Sequence, residues 1–186
     1  EDKEGSLFTG GVDGVGLDFY EGVAGYCKKN SKEDDRFFIL IPSFEIYHEH
    51  QDFYDSTNEL KPYKPPMRYY DLAKHISGNS LDVIIAGDSM ADRREYLSKI
   101  ADILVMINGG RGTLDEALRG LVAGKRLIVA SNTGGKSELM PVIKERGISN
   151  VVYEARILGF SNDNITQKER DNIICADNIR DIVRYL

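Results

Sequence analysis

Ile103-Leu104-Val105-Met106-Ile107-Asn108-Gly109-Gly110-Arg111-Gly112-Thr113-Leu114-Asp115-Glu116 is an apolar run that breaks on three glycines and resumes with helix-forming residues. A strand without polar interruption is what a parallel sheet buried on both faces requires, and the glycines mark the turn into a following helix. The same alternation recurs along the chain. Strands are expected at 6–8, 37–41, 83–86, 103–107, 127–130 and 151–153. Helices are expected at 17–28, 89–100, 114–123, 136–146 and 178–185, the last capped by Asp177. The spacing reads as βαβ units, so the expected class is α/β with a parallel sheet covered by helices on both faces.

With 186 residues, 41% of them hydrophobic and 29% charged, the chain has enough apolar material for a core and is expected to be a single domain over 1–186. Its 24 Lys and Arg against 30 Asp and Glu leave a net charge of −6, which argues against nucleic acid or a membrane surface as partner. A small anion held locally remains compatible with that balance. Cys27 and Cys175 are too few for a disulfide framework and lack the spacing of a zinc knuckle, which suits a reducing interior. No apolar run approaches the ~18 residues of a spanning helix, and Glu1-Asp2-Lys3-Glu4 carries the wrong charge for a signal peptide, so a cytoplasmic location is expected.

Two stretches depart from the pattern. Residues 42–80 hold four of the five prolines and the tyrosines Tyr47, Tyr54, Tyr63, Tyr69 and Tyr70 without clear periodicity. They read as an insertion, either a lid with a short helix near 69–76 or a solvated loop whose tyrosines pack on the domain edge. The first glycine-rich turn, Gly10 to Gly16, follows a single short strand, which leads to the expectation that the chain is a piece of a longer protein.

Three strand-to-helix junctions are glycine-rich: 10–16, 109–112 and 134–135. In a parallel sheet such junctions lie at the carboxyl ends of the strands and are expected to converge on one crevice. There glycine lets the backbone approach an anion, and the helix start offers N–H groups and a favourable dipole. No turn fits a dinucleotide fingerprint, and Gly135-Lys136-Ser137 lacks the earlier glycine of a Walker loop. Thr113 and Glu116 also have the spacing of a capping box, which would account for both without any ligand. On the helix before the turn, Met90, Leu97, Ile100 and Ala101 define a buried stripe on which Arg93 also falls, with Arg94 at its border. An inward guanidinium needs an internal carboxylate or an anionic ligand.

Met90-x-x-Arg93-Arg94, Ala101-Asp102, a hydrophobic strand and Gly109-Gly110-x-Gly112-Thr113-x-x-Glu116 together resemble the SLOG superfamily, which includes the LOG (LONELY GUY) phosphoribohydrolases. The resemblance covers about 83–135 and implies a Rossmann-like sheet that binds nucleotides or ribose-phosphate derivatives. It implies that Arg93 and Glu116 are the catalytic pair of an N-glycosidic hydrolase acting on nucleoside 5'-monophosphates, if the chain is an enzyme. The chain departs from the enzymes at Asn108, where they have proline, at Arg94, where they have lysine, and in its insertion and its Gly134-Gly135 turn. Related SLOG domains of Thoeris-type bacterial defence effectors sense cyclic ADP-ribose isomers and switch an attached effector.

The leading expectation is a sensor of an ADP-ribose-like or cyclic ADP-ribose ligand, with insertion tyrosines stacking on the base. Gly10, Gly11, Gly109, Gly110, Gly112, Thr113, Gly134, Gly135 and Lys136 would place phosphates, Arg93 would pair with a phosphate or ribose group, and Glu116 would bind ribose hydroxyls. The alternatives are the phosphoribohydrolase and a structural or oligomerisation module. No cofactor and no metal is expected, and His48-Glu49-His50 and His75 read as surface residues. A homo-oligomer is expected from the resemblance alone.

Overall fold

The computed structural model describes residues 5–10, 14–30, 37–43, 46–47, 67–68, 82–148 and 152–186. The chain divides into two compact units, Glu1–Arg93 and Arg94–Leu186. The protein is α/β and Rossmann-like, with two three-stranded parallel sheets and helices packed against them.

In the Glu1–Arg93 unit, β1 (Leu7–Thr9), β2 (Phe37–Ile41) and β5 (Asp82–Ile85) form a sheet in the order β1-β2-β5. All three strands lie within one residue of their expected positions. The central strand β2 is buried along Phe37, Ile39, Leu40 and Ile41, as expected of a parallel strand covered on both sides. Phe37 faces helix α1 (Gly14–Asn30), where Tyr20 stacks on it and Phe19 meets its edge, while Phe38 stacks on Phe8. The helix begins three residues before its expected start, so Gly14 and Gly16 belong to it rather than to the preceding turn. Within the 42–80 insertion, β3 (Ile46–Tyr47) and β4 (Met67–Arg68) form a short antiparallel pair. The expected helix near 69–76, the tyrosines Tyr54, Tyr63, Tyr69 and Tyr70, and the three histidines lie outside the described residues.

In the Arg94–Leu186 unit, β6 (Ile103–Ile107), β7 (Arg126–Ala130) and β8 (Ile173–Ala176) are parallel in the order β6-β7-β8. Strand alternation assigns the two faces of β7 to different cores. Leu127 and Val129 pack with Leu114, Leu118 and Leu121 of the helix Arg111–Val122 and with Met140 and Ile143 of the helix Leu139–Arg146. Ile128 and Ala130 pack with Ala176 and with Ile182 of the final helix, Ile179–Tyr185. Two expectations are corrected here. Of the strand expected at 151–153, Val151 lies outside the described residues, Val152 is the N-cap and Tyr153 the first residue of a helix, Tyr153–Ile157, and the third strand is Ile173–Ala176. The good helix formers Glu154, Ala155 and Arg156 follow Tyr153, and burying Val152 and Ala155 in the first core decides the conformation. The last helix is capped by Asn178, not Asp177: the Asn178 side chain accepts from the N–H groups of Arg180 and Asp181. Among the described residues no helix is long and apolar enough to cross a membrane.

The helix Met90–Ile100 spans the division between the units. Arg93, Leu97 and Ala101 are buried as the periodicity requires, but Ile100 is 45% exposed, so the buried stripe is narrower than expected. Its start is held by a reciprocal cap. The Asp92 N–H donates to the Ser89 hydroxyl oxygen, and the Asp92 carboxylate accepts from the Ser89 N–H and the Asp88 N–H. The bond from the Ser89 hydroxyl, reinforced by those two amides, holds the Asp92 carboxyl below the ordinary carboxylate range. A lowered folded-state value contributes stability above the unfolded value of about 3.9 and loses it as pH falls through the folded one. Melting temperatures of the native protein and of Asp92→Asn are therefore expected to differ near neutral pH and to converge as the pH falls through the lowered folded-state value. A gap that stays constant through the acid range would show that this carboxylate contributes nothing to acid unfolding.

Candidate functional site

The turn after β6 is built by two residues in the left-handed region, Asn108 at φ 52° and Gly109 at φ 90°. Asparagine tolerates that conformation better than most residues, and glycine adopts it freely. A side chain at Gly109 would also lie 2.5 Å from the Thr113 Cβ, because Thr113 folds back over the turn. The next helix starts at Arg111, with Gly110 as its N-cap and no side-chain cap. This corrects the capping-box expectation: Thr113 is the third helical residue and Glu116 lies in the second turn. The first intrahelical bond across the cap runs from the Leu114 N–H to the Gly110 carbonyl. Helix geometry therefore leaves the amides of Arg111, Gly112 and Thr113 without intrahelical acceptors.

The turn after β7 locks onto this one. The Lys136 N–H donates to the Gly109 carbonyl at 2.8 Å and the Ser137 N–H to the Asn108 carbonyl at 3.2 Å. Thr133 joins them from the other side: its Oγ1 accepts from the Asn108 N–H at 2.7 Å and donates to the Ala130 carbonyl at 2.7 Å. The buried Ser137 hydroxyl donates to the Gly134 carbonyl at 2.6 Å. Gly135, at φ 63°, has no room for a side chain, since a Cβ there would sit 2.1 Å from Asn108 Oδ1 and 2.5 Å from the Gly109 carbonyl. The second and third glycine turns are thus brought together as one body. The amides of Lys136 and Ser137 are engaged in that lock, and the Lys136 ammonium pairs with the Glu154 carboxylate.

The two adjacent arginines serve different glycines. Within the Glu1–Arg93 unit, Arg93 is 5% exposed and its guanidinium covers Gly10, where a Cβ would fall 1.3 Å from Nη1. Within the Arg94–Leu186 unit, Arg94 lies against Gly112, 2.9 Å from where a Cβ would stand. Arg94 also approaches Asp115 at 3.7 Å, and Arg119 donates from Nε to the same carboxylate at 3.0 Å. Asp115 is 3% exposed, a buried carboxylate between two guanidiniums, and the Arg94 Nε–H is buried without a hydrogen-bond partner.

The expected site residues Gly109, Gly110, Gly112, Thr113, Gly134, Gly135 and Lys136 therefore meet in one unit, with Glu116 half-buried on the same helix. Gly10 and Arg93 meet in the other unit, and Gly11 lies outside the described residues. Sequence reasoning missed Asp115, Asn108 and Thr133, and it ranked Arg94 below Arg93. A reader of the sequence has no means of telling which of two neighbouring arginines turns toward which loop. It also missed a further glycine turn after β5: Gly87, at φ 79°, sits against the Asp92 side chain. Its carbonyl accepts from the Ser43 N–H. Among the described residues no three His, Cys, Asp or Glu cluster as metal ligands do. Comparison with protein-family models, with curated proteins and with solved structures finds no match.

Two substitutions test this construction. Gly135→Ala is expected to lower unfolding free energy by at least ~2 kcal/mol, because the left-handed conformation and a backbone clash act together. Asp115→Asn is expected to cost about 1–3 kcal/mol, the value being tempered by the partial exposure of both arginines. Denaturant titration reads both, and a change under ~0.5 kcal/mol in either would contradict the geometry.

Proposed function

We propose that the Arg94–Leu186 unit binds a phosphate group of a nucleotide-derived signal, ADP-ribose-like or a cyclic ADP-ribose isomer, and that the chain acts as a SLOG-type sensor governing an attached effector. One observation carries this reading. The helix Arg111–Val122 starts on Gly109 and Gly110 with no side-chain cap, and the guanidinium of Arg94 lies beside its first turn with a buried Nε–H left without a partner. Three amides, a helix dipole and a guanidinium form a set of donors suited to a phosphate. The locked neighbouring turn holds that set in place, so little order has to be gained on binding.

The Asn108 conformation favours a sensor over the phosphoribohydrolase. A backbone at φ 52° excludes proline, whose ring fixes φ near −65°, and the Asn108 N–H bonded to Thr133 is one that proline lacks. The departure from the enzymes' sequence is thus built into the backbone of the turn. The hydrolase remains the second reading because Glu116 stands on the same helix as the donor set.

Calorimetry with ADP-ribose, its cyclic isomers and adenosine monophosphate, together with chromatography of the recovered ligand, separates the two. Binding without cleavage is expected, and Arg94→Met should weaken it about 10- to 100-fold, the loss of a charge-assisted hydrogen bond. Glu116→Ala should lower affinity modestly. Release of free base that Glu116→Ala abolishes would establish the hydrolase instead, and no heat with any of these nucleotides would end both readings.

A further inference from the structure

The two arginines on Asp115 hold it unequally. Its Oδ1 accepts from Arg119 Nε at 3.0 Å, a full hydrogen bond one turn along the same helix. Its Oδ2 lies 3.7 Å from Arg94 Nη1, close enough for an ion pair and too far for a hydrogen bond. Arg119 therefore satisfies the carboxylate, and Arg94 adds charge from a distance.

Arg94 is correspondingly the less engaged of the two. Its Nε–H is buried with no hydrogen-bond partner, and Nη2, Cζ and Nε stand 2.9–3.3 Å from where a Cβ on Gly112 would be. A guanidinium has five donors and gains most from an oxyanion that takes two of them at once, which one long contact does not provide. The cost of moving it is set by what it leaves behind. A buried carboxylate stripped of its only cation is strongly destabilising. Asp115 is not exposed to that loss, because Arg119 stays hydrogen-bonded to Oδ1 if Arg94 turns away.

We propose that Asp115 is an internal counter-ion that the ligand's phosphate displaces from Arg94, and that Arg119 is the positioning residue that permits the exchange by remaining on the carboxylate. The inference rests on the phosphate reading of the Arg94–Leu186 unit and names the group with which the phosphate competes. Neither Asp115 nor Arg119 touches the ligand. The exchange favours an anion that meets the guanidinium and the helix amides together, since a weaker one does not outcompete a carboxylate already in place. Without Arg119, Asp115 would have Arg94 as its one cation among the described residues, and the phosphate would have to take it from a buried, otherwise unpaired charge.

Calorimetry with ADP-ribose and with adenosine monophosphate, run below the melting transition of each chain, tests the exchange. Arg119→Met is expected to weaken binding at least about tenfold, and Arg119→Lys, which keeps a cation on Asp115, should bind within about threefold of the native chain. Asp115→Asn should bind as tightly as the native chain or up to about tenfold more tightly, although it is the less stable protein. Adding Arg119→Met to Asp115→Asn should change affinity by less than about threefold, because the competitor is already gone. A merely structural cluster would instead lose affinity in step with stability. Urea titration without ligand supplies a second measurement: Arg119→Met should lower the midpoint more than Arg94→Met does. Weaker binding by Asp115→Asn, an Arg119→Met effect equally large with and without Asp115→Asn, or the reverse order of urea midpoints would each overturn the inference while leaving the phosphate reading intact. No heat from the native chain with either nucleotide would end that reading and the exchange together.

Discussion

The carbonyls of Asn108 and Gly109 accept the N–H groups of Ser137 and Lys136, and the strand ends of the Arg94–Leu186 unit depend on this pair of bonds. Chain leaving β6 and chain leaving β7 would otherwise be two independent loops. The bonds require close contact, which Gly135 permits by having no side chain and which Thr133 reinforces by holding the Asn108 amide. Satisfying buried backbone groups by one another leaves the first amides of the next helix as the donors still directed outward. The donor set is therefore a consequence of the lock rather than an addition to it.

Charge is distributed with the same economy of atoms. Asp115 sits almost wholly buried one turn into the helix, and two arginines converge on it. Because one carboxylate faces two guanidiniums, the cluster keeps a net positive charge beside Gly112 while its acid remains neutralised. In a chain with a net charge of −6 such a local excess is the feature that matters for an anion. Arg93, one residue earlier, performs a comparable service in the other unit by lying over Gly10.

Legibility differed from one part of the chain to the next. Strands such as 37–41 and 103–107 were readable to the residue, because each is an apolar run bounded by polar or turn-forming residues, although only 37–41 is buried along its length and Val105 of the other is 40% exposed. The segment at 151–153 was misread, because three β-branched or aromatic residues fit either a strand or the entrance to a helix until packing chooses. The glycine turns were recognisable as turns, and two of them do meet. Their mutual hydrogen bonds were not recognisable, because backbone partners carry no side-chain signature. The capping box at Thr113 was a false signal: the spacing was right, but the helix had already begun at Arg111.

What the sequence by itself determined is the α/β class, the position of most strands, the glycine-rich turns and the burial of Arg93. Each follows from periodicity or from the conformational freedom of one residue type, and these are local properties. What only the tertiary structure decided is which turns lock together, that Arg94 and not its neighbour lies against Gly112, and that Asp115 joins two arginines. These depend on residues far apart in the chain meeting at distances of a few ångströms, and spacing along a sequence does not encode distance across a fold.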